Sequence, residues 1–212
     1  MLTLAIDTTA EFGSIALGGD EILLHAPEGF SGLLFGQIEK MLARRNVRLS
    51  DIDLFAAASG PGSFTGVRIG LAAVKGLGEV LGKPVAAVSN LEALAEFGEG
   101  DLRATVIDAR RGEVYAALFD RAGRQTIPES VLKFPHLLEL LGDREFEWVS
   151  TNFDPFRAEL VGTRFEHHPV LTAPRALAAA IVKIAERRPP TDPAAIEANY
   201  VRRPDAELLW KE

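Results

Sequence analysis

The sequence contains no cysteine. A disulfide framework, a thiolate metal site and cysteine nucleophilic catalysis are therefore excluded. No apolar run approaches the ~20 residues that cross a bilayer as a helix. The opening Met1-Leu2-Thr3-Leu4-Ala5-Ile6-Asp7 has no basic segment and meets an acid at once, unlike a secretory signal peptide. A cytoplasmic location, with no membrane contact, is expected. Positive charge is also scarce: 23 Lys and Arg stand against 30 Asp and Glu, a net charge of −7. That balance is wrong for a protein that grips nucleic acid alone. The four histidines (His25, His136, His167, His168) include no His-x-x-x-His pair, and adjacent His167 and His168 would point to opposite faces of a strand. No metal site is expected. No Gly-x-Ser-x-Gly elbow occurs, so serine-hydrolase chemistry has no visible anchor.

The 212 residues, 47% hydrophobic and 25% charged, have ordinary globular proportions. The length suits one large domain or two small ones. A pattern of apolar strands and a hairpin runs through residues 2–25. A helix over 30–45, a strand over 54–59, a helix over 66–81, a strand over 85–88 and a short helix capped by Asn90 follow. After the polar break Glu99-Gly100-Asp101 the pattern restarts. Thr105-Val106-Ile107-Asp108 echoes Leu4-Ala5-Ile6-Asp7, and Val114 to Phe119 echoes the second strand. Helices over 135–141, 155–161 and 173–188 complete the second half, and Pro189-Pro190 ends it. The order predicts an internal duplication: a lobe over 1–100, a smaller lobe over 101–190 and a tail over 191–212. Two α/β units with a cleft between them are expected.

Asp7 and Asp108 each close an apolar strand. In duplicated α/β folds of the actin, Hsp70 and sugar-kinase type, two such aspartates hold a metal and phosphates. Here Thr8 and Thr9 follow one, and Ala109 and Arg110 the other; neither has the nearby glycine that lets backbone amides approach a phosphate. Of 19 glycines, 17 lie at or before Gly123, so the late glycine-rich turn of an adenosine pocket is missing. A vestigial nucleotide site at Asp7, Thr8, Thr9 and Asp108 is one reading. Two aspartates that only bond turn amides is the other. A Mg-dependent ATPase or small-molecule kinase stays as the alternative function.

The run Ser59-Gly60-Pro61-Gly62-Ser63-Phe64-Thr65-Gly66-Val67-Arg68-Ile69-Gly70 is the sharpest local signal. It reads as a tight loop into a helix, with Thr65 as N-cap. The helix start would bind an anion, or the glycines would serve close packing. No Lys-Ser or Lys-Thr follows, so it is not a Walker loop. Gly66, Gly70, Ala73 and Leu77 form a flat strip open to a neighbouring helix. On the helix over 30–45, Leu34, Phe35, Ile38 and Leu42 belong to an apolar surface of roughly 200°, wider than the ~100° stripe one core needs. These eight residues are the candidate partner interface.

The segments Leu4-Ala5-Ile6-Asp7-Thr8, Gly60 to Gly70, Ile107-Asp108-Ala109-Arg110-Arg111-Gly112-Glu113-Val114-Tyr115 and Tyr200-Val201-Arg202 resemble the bacterial TsaB (YeaZ) family, in order and over essentially the whole chain. The resemblance implies a duplicated RNase H-like fold of the actin/Hsp70/sugar-kinase superfamily with a truncated second lobe. It also implies a catalytically silent pseudoenzyme needed for N6-threonylcarbamoyladenosine at position 37 of tRNAs reading ANN codons. Such a subunit pairs with its paralogue TsaD through the two N-terminal helices, and the ATPase TsaE joins them. It needs no cofactor of its own and meets tRNA through the complex. The same two helices could also self-associate about a two-fold axis, giving a homodimer when the chain is alone.

Overall fold

The computed structural model describes residues 1–202. They divide into two compact units, Met1–Ala93 with Arg175–Asn199, and Leu94–Pro174 with residues 200–202. Arg203 of the sequence's last arginine pair and the rest of the tail lie outside the described residues.

The first unit is built on β1 (Thr3–Asp7). It pairs antiparallel with β2 (Phe12–Leu17), which pairs antiparallel with β3 (Asp20–His25). On its other side β1 runs parallel to β4 (Leu54–Gly60), and β4 parallel to β5 (Val85–Ser89), giving the order β3-β2-β1-β4-β5. Every residue of β1 and β4 is buried. That is why both read as continuous apolar runs and not as alternating ones.

The two faces of this sheet differ in size of side chain. Leu4, Ile6, Ile15, Leu17, Phe55 and Ala57 form one core cluster with α1 (Leu34–Arg45) and α2 (Phe64–Leu81). The alternate residues, Ala5, Ser14, Ala16 and Ala56, are small. They let α6 (Ala178–Glu186) pack close to β1 and β2. Ser14 Oγ accepts from the Leu177 and Ala178 amides at 3.0 and 2.9 Å, satisfying donors that the first turn of a helix leaves open. The sequence pattern assigns this helix to the second half; it belongs to the first unit and is shorter than the 173–188 expected. Its alanines suit the close approach that Ser14 and Ala16 allow.

α1 starts at Leu34, not at residue 30. The Phe30 carbonyl accepts from both Leu33 and Leu34 amides, a turn that precedes the helix. α1 and α2 end alike, at Asn46 (φ 52°) and Gly82 (φ 62°) in the left-handed conformation that closes a helix.

The second unit repeats the plan. β6 (Leu102–Arg110) is central, β7 (Glu113–Asp120) and β8 (Gln125–Lys133) pair antiparallel on one side, and β9 (Glu147–Ser150) and β10 (Val170–Thr172) run parallel on the other. The order β10-β9-β6-β7-β8 is that of the first sheet. Its helices α4 (Phe134–Leu141) and α5 (Asp154–Leu160) are short, and its core is aromatic: Phe134 stacks on Phe156 at 4.9 Å and on Trp148 at 5.6 Å. In chain order α3 (Asn90–Ala95) follows β5 directly. β10 has only three residues, Val170–Thr172, too few for the alternation of a strand to show in the sequence.

Candidate functional site

The end of β1 meets the start of α2 at contact distance. A Cβ on Gly66 would lie 1.9 Å from the Thr8 carbonyl oxygen. One on Gly62 would lie 2.6 Å from that of Thr9, and one on Gly70 2.9 Å from Thr8 Oγ1. The Ser63 amide donates to the Thr9 carbonyl at 2.6 Å, and Thr8 Oγ1 donates to the Gly66 carbonyl at 2.7 Å. The glycine-rich loop therefore seats on the Asp7-Thr8-Thr9 backbone of its own chain. The N-cap is Ser63, whose Oγ accepts from the Gly66 amide at 3.3 Å, and not Thr65. The cap must precede the turn whose amides it satisfies, and Thr65 already lies within the helix.

Asp7 is 2% exposed. Its Oδ1 accepts from the Thr9 amide at 2.9 Å and from Thr9 Oγ1 at 2.7 Å. Asn90 Nδ2 lies 3.4 Å from both carboxylate oxygens and 2.7 Å from Thr9 Oγ1, while Asn90 Oδ1 accepts from the Gly60 amide at 3.1 Å. No cation lies in this network among the described residues. Burial accordingly pushes the Asp7 carboxyl above its ordinary 3.8, against the lowering effect of the Thr9 and Asn90 hydrogen bonds. Asn90 is not the cap expected for α3. Ser89 Oγ takes that place, accepting from the Leu91 amide at 3.1 Å.

Asp108 lies in the second unit, half-buried. Its Oδ1 accepts from the Arg110 amide at 2.7 Å, and its Oδ2 is 3.5 Å from the Arg110 guanidinium. Both aspartates thus bond amides two residues on, as turn-forming aspartates do. Among the described residues no group of three or more His, Asp or Glu side chains is placed to hold a metal ion.

The eight partner-interface residues divide sharply. Leu34, Ile38 and Leu42 are at most 8% exposed and sit in the core of their own unit, as do Gly66, Gly70 and Ala73. Leu77 is half-buried against that core. Phe35 alone is open, at 57%. Of the α1 side chains expected to meet a partner, Leu42 faces inward with Leu34 and Ile38, and the outward side is mixed, with Phe35 and Ala43 beside charged Glu39 and Lys40. The outward side of α2 carries Phe64, Thr65, Arg68, Ala72, Gly76, Glu79 and Val80, and that of α1 carries Phe35, Gly36, Glu39 and Ala43. Arg68, the fifth residue of α2, stacks 3.8 Å from the centre of the Phe64 ring. Gly36 and Gly76 were not singled out in the sequence. A Cβ on either would meet nothing within 4 Å. Helical glycine costs about 1 kcal/mol relative to alanine, and nothing among the described residues requires it at these two places.

The tail motif also finds its partner. Arg202 donates to the Ala109 carbonyl at 2.8 Å, pairs with Glu113 and lies over the Tyr115 ring at 5.5 Å.

Residues 26–181 match the family model described as TsaD, tRNA N6-adenosine threonylcarbamoyltransferase. The chain is 29% identical over its whole length to the tRNA threonylcarbamoyladenosine biosynthesis protein TsaB of Bacillus subtilis, of which it covers 99%. It is 35% identical to TsaB of Escherichia coli over 71% of this chain and 70% of that protein. The chain belongs to the TsaB family. YeaZ from Pseudomonas aeruginosa has the same fold, with a TM-score of 0.74 at 26% identity, over 94% of this chain and 99% of that one. The duplicated sheets are those of the RNase H-like, actin-like fold expected from the resemblance. Among the described residues no helix is long and apolar enough to cross a membrane.

Proposed function

We propose that the chain is a non-catalytic subunit required for threonylcarbamoyladenosine synthesis on tRNA. It pairs with a TsaD-type transferase through the outward faces of α1 and α2, and a TsaE-type ATPase joins the pair. The observation that carries this reading is the unexplained glycine pair. Gly36 and Gly76 weaken their helices without relieving any contact among the described residues; Gly76 sits beside exposed Ala72 on α2, and Gly36 shares the outward face of α1 with Ala43 and the charged Glu39 and Lys40. Small residues on a helix face let a second helix approach closely, and phenylalanines at the edge (Phe35, Phe64) supply the area buried on docking.

The silence of the chain itself is supported at Asp7 and at the glycine loop. The Asp7 carboxylate is spent on Thr9 and Asn90, and the loop glycines are filled by Thr8 and Thr9. The kinase alternative needs that carboxylate exposed to a metal. The same outward strips suit a two-fold homodimer in the absence of the transferase.

Deleting the gene and hydrolysing bulk tRNA to nucleosides tests the reading. Threonylcarbamoyladenosine is expected to vanish, and to return with the chain carrying Asp108→Ala. Unchanged modification without the gene would refute the role. Failure of Asp108→Ala, folded, to restore it would refute the silence.

A further inference from the structure

The two-residue turn between β6 and β7 is Arg111-Gly112, preceded by a bulge at Ala109. Arg110 (φ 64°), Arg111 (φ 57°) and Gly112 (φ 69°) all lie in the left-handed region. A turn with two such residues favours Asn-Gly or Gly-Gly, because a side chain with a Cβ is disfavoured there. Arginine has no short polar group to offer its own backbone in compensation.

The turn is nevertheless held from three sides. Asp108 Oδ1 accepts the Arg110 amide at 2.7 Å, Lys133 Nζ donates to the Arg111 carbonyl at 2.7 Å, and Arg202 donates to the Ala109 carbonyl at 2.8 Å. Glu113, the carboxylate on the far side of the turn, is paired with Arg202. Three charged side chains thus stabilise a backbone that presents two consecutive arginines, both exposed; the Arg110 side chain is 87% accessible even with its guanidinium 3.5 Å from Asp108 Oδ2. Residues in a sparsely populated conformation persist where the surrounding structure over-determines them, and they gather at contact sites.

We infer that the Arg110-Arg111 turn touches the sugar–phosphate backbone of the tRNA when the assembly holds it. Two consecutive arginines, always charged and carried on a turn whose backbone is held, match phosphate oxygens through their planar forks. A net charge of −7 keeps the isolated chain off RNA, so the turn acts as a secondary contact within the complex. The inference rests on the proposed role in tRNA modification. An acidic protein surface is the competing ligand and is one outcome of the test.

The experiment measures tRNA affinity of the chain mixed with its transferase across a salt series. Comigration of the two proteins is read separately by size-exclusion, so a failure of pairing is distinguished from a failure of this inference. The variant Arg110→Gly/Arg111→Gly suits the left-handed turn and keeps the fold. It is expected to bind tRNA about tenfold more weakly at ~0.1 M salt, with the salt slope reduced by about 2. Arg110→Lys/Arg111→Lys is expected to keep most of the slope. Unchanged affinity and slope in the glycine variant would overturn the inference. So would a parent chain that adds nothing to the transferase's tRNA affinity, or a glycine variant whose only defect is weaker pairing with the transferase.

Discussion

Replacing Gly76 by alanine should make the free chain more stable and its partnership weaker. Gly76 stands in the thirteenth position of the eighteen-residue helix α2, well inside it, and has an ordinary negative φ. A Cβ there meets nothing within 4 Å. Alanine should therefore gain the full propensity difference, about 1 kcal/mol. For a chain of this length that is a rise in melting temperature of about 2–4 °C. In a closely packed helix–helix contact the same methyl group overfills the seam and costs roughly 1–3 kcal/mol, a loss of about 5- to 150-fold in affinity for the transferase. Differential scanning fluorimetry of the free chain and calorimetric titration of the pair read both quantities from one protein preparation. A variant that melts higher and binds equally well would refute the argument from unexplained glycine. A variant that melts lower would show that Gly76 serves the chain itself. Gly36, in the first turn of α1, should behave alike with a smaller stability gain.

Other sites should respond in the opposite way. Gly66→Ala, also helical, should prevent folding or cost more than 3 kcal/mol, because its Cβ would lie 1.9 Å from the Thr8 carbonyl; urea titration decides it. Leu42→Asp should unfold the first unit, whereas Phe35→Asp should leave its circular dichroism and melting intact, since one side chain is 8% and the other 57% exposed. Asp7→Ala should cost about 1–3 kcal/mol by leaving the buried Thr9 amide and Thr9 Oγ1 without their acceptor. The raised Asp7 pKa sets a pH dependence. A carboxyl whose folded pKa exceeds 3.8 contributes stability when protonated and loses it as pH rises through the folded value. Urea midpoints of the natural chain should thus gain on those of Asp7→Asn as pH falls from 7 toward 4.

The duplication was legible because both halves carry a buried central strand ending in aspartate and followed by a hairpin. Sequence identity between them was not needed. The glycine-rich loop was legible as a tight turn, but its contact with Thr8 and Thr9 joins segments some fifty residues apart, which periodicity does not see. Helix α1 shows why apolar width does not assign faces. Leu34, Ile38 and Leu42 form the inward stripe, and the outward side is marked by small residues and one phenylalanine. The proposed partner surface, with glycine and alanine among its residues, has a weak hydrophobic signal. Asn90 was read locally as a cap, whereas its amide spans three segments, bonding Asp7, Thr9 and Gly60. α6 returns to the first sheet because Ser14 and Ala16 leave room for it, a complementarity between distant segments.

The central claim is pairing through the outward faces of α1 and α2. Purified chain and the TsaD-type transferase of the same organism, mixed and measured by size-exclusion with light scattering, test it most directly. The account predicts a complex between the two proteins that is lost with Phe35→Glu while the variant alone remains folded. No complex with the natural chain, or a complex that Phe35→Glu and Gly76→Ala leave undiminished, would contradict it.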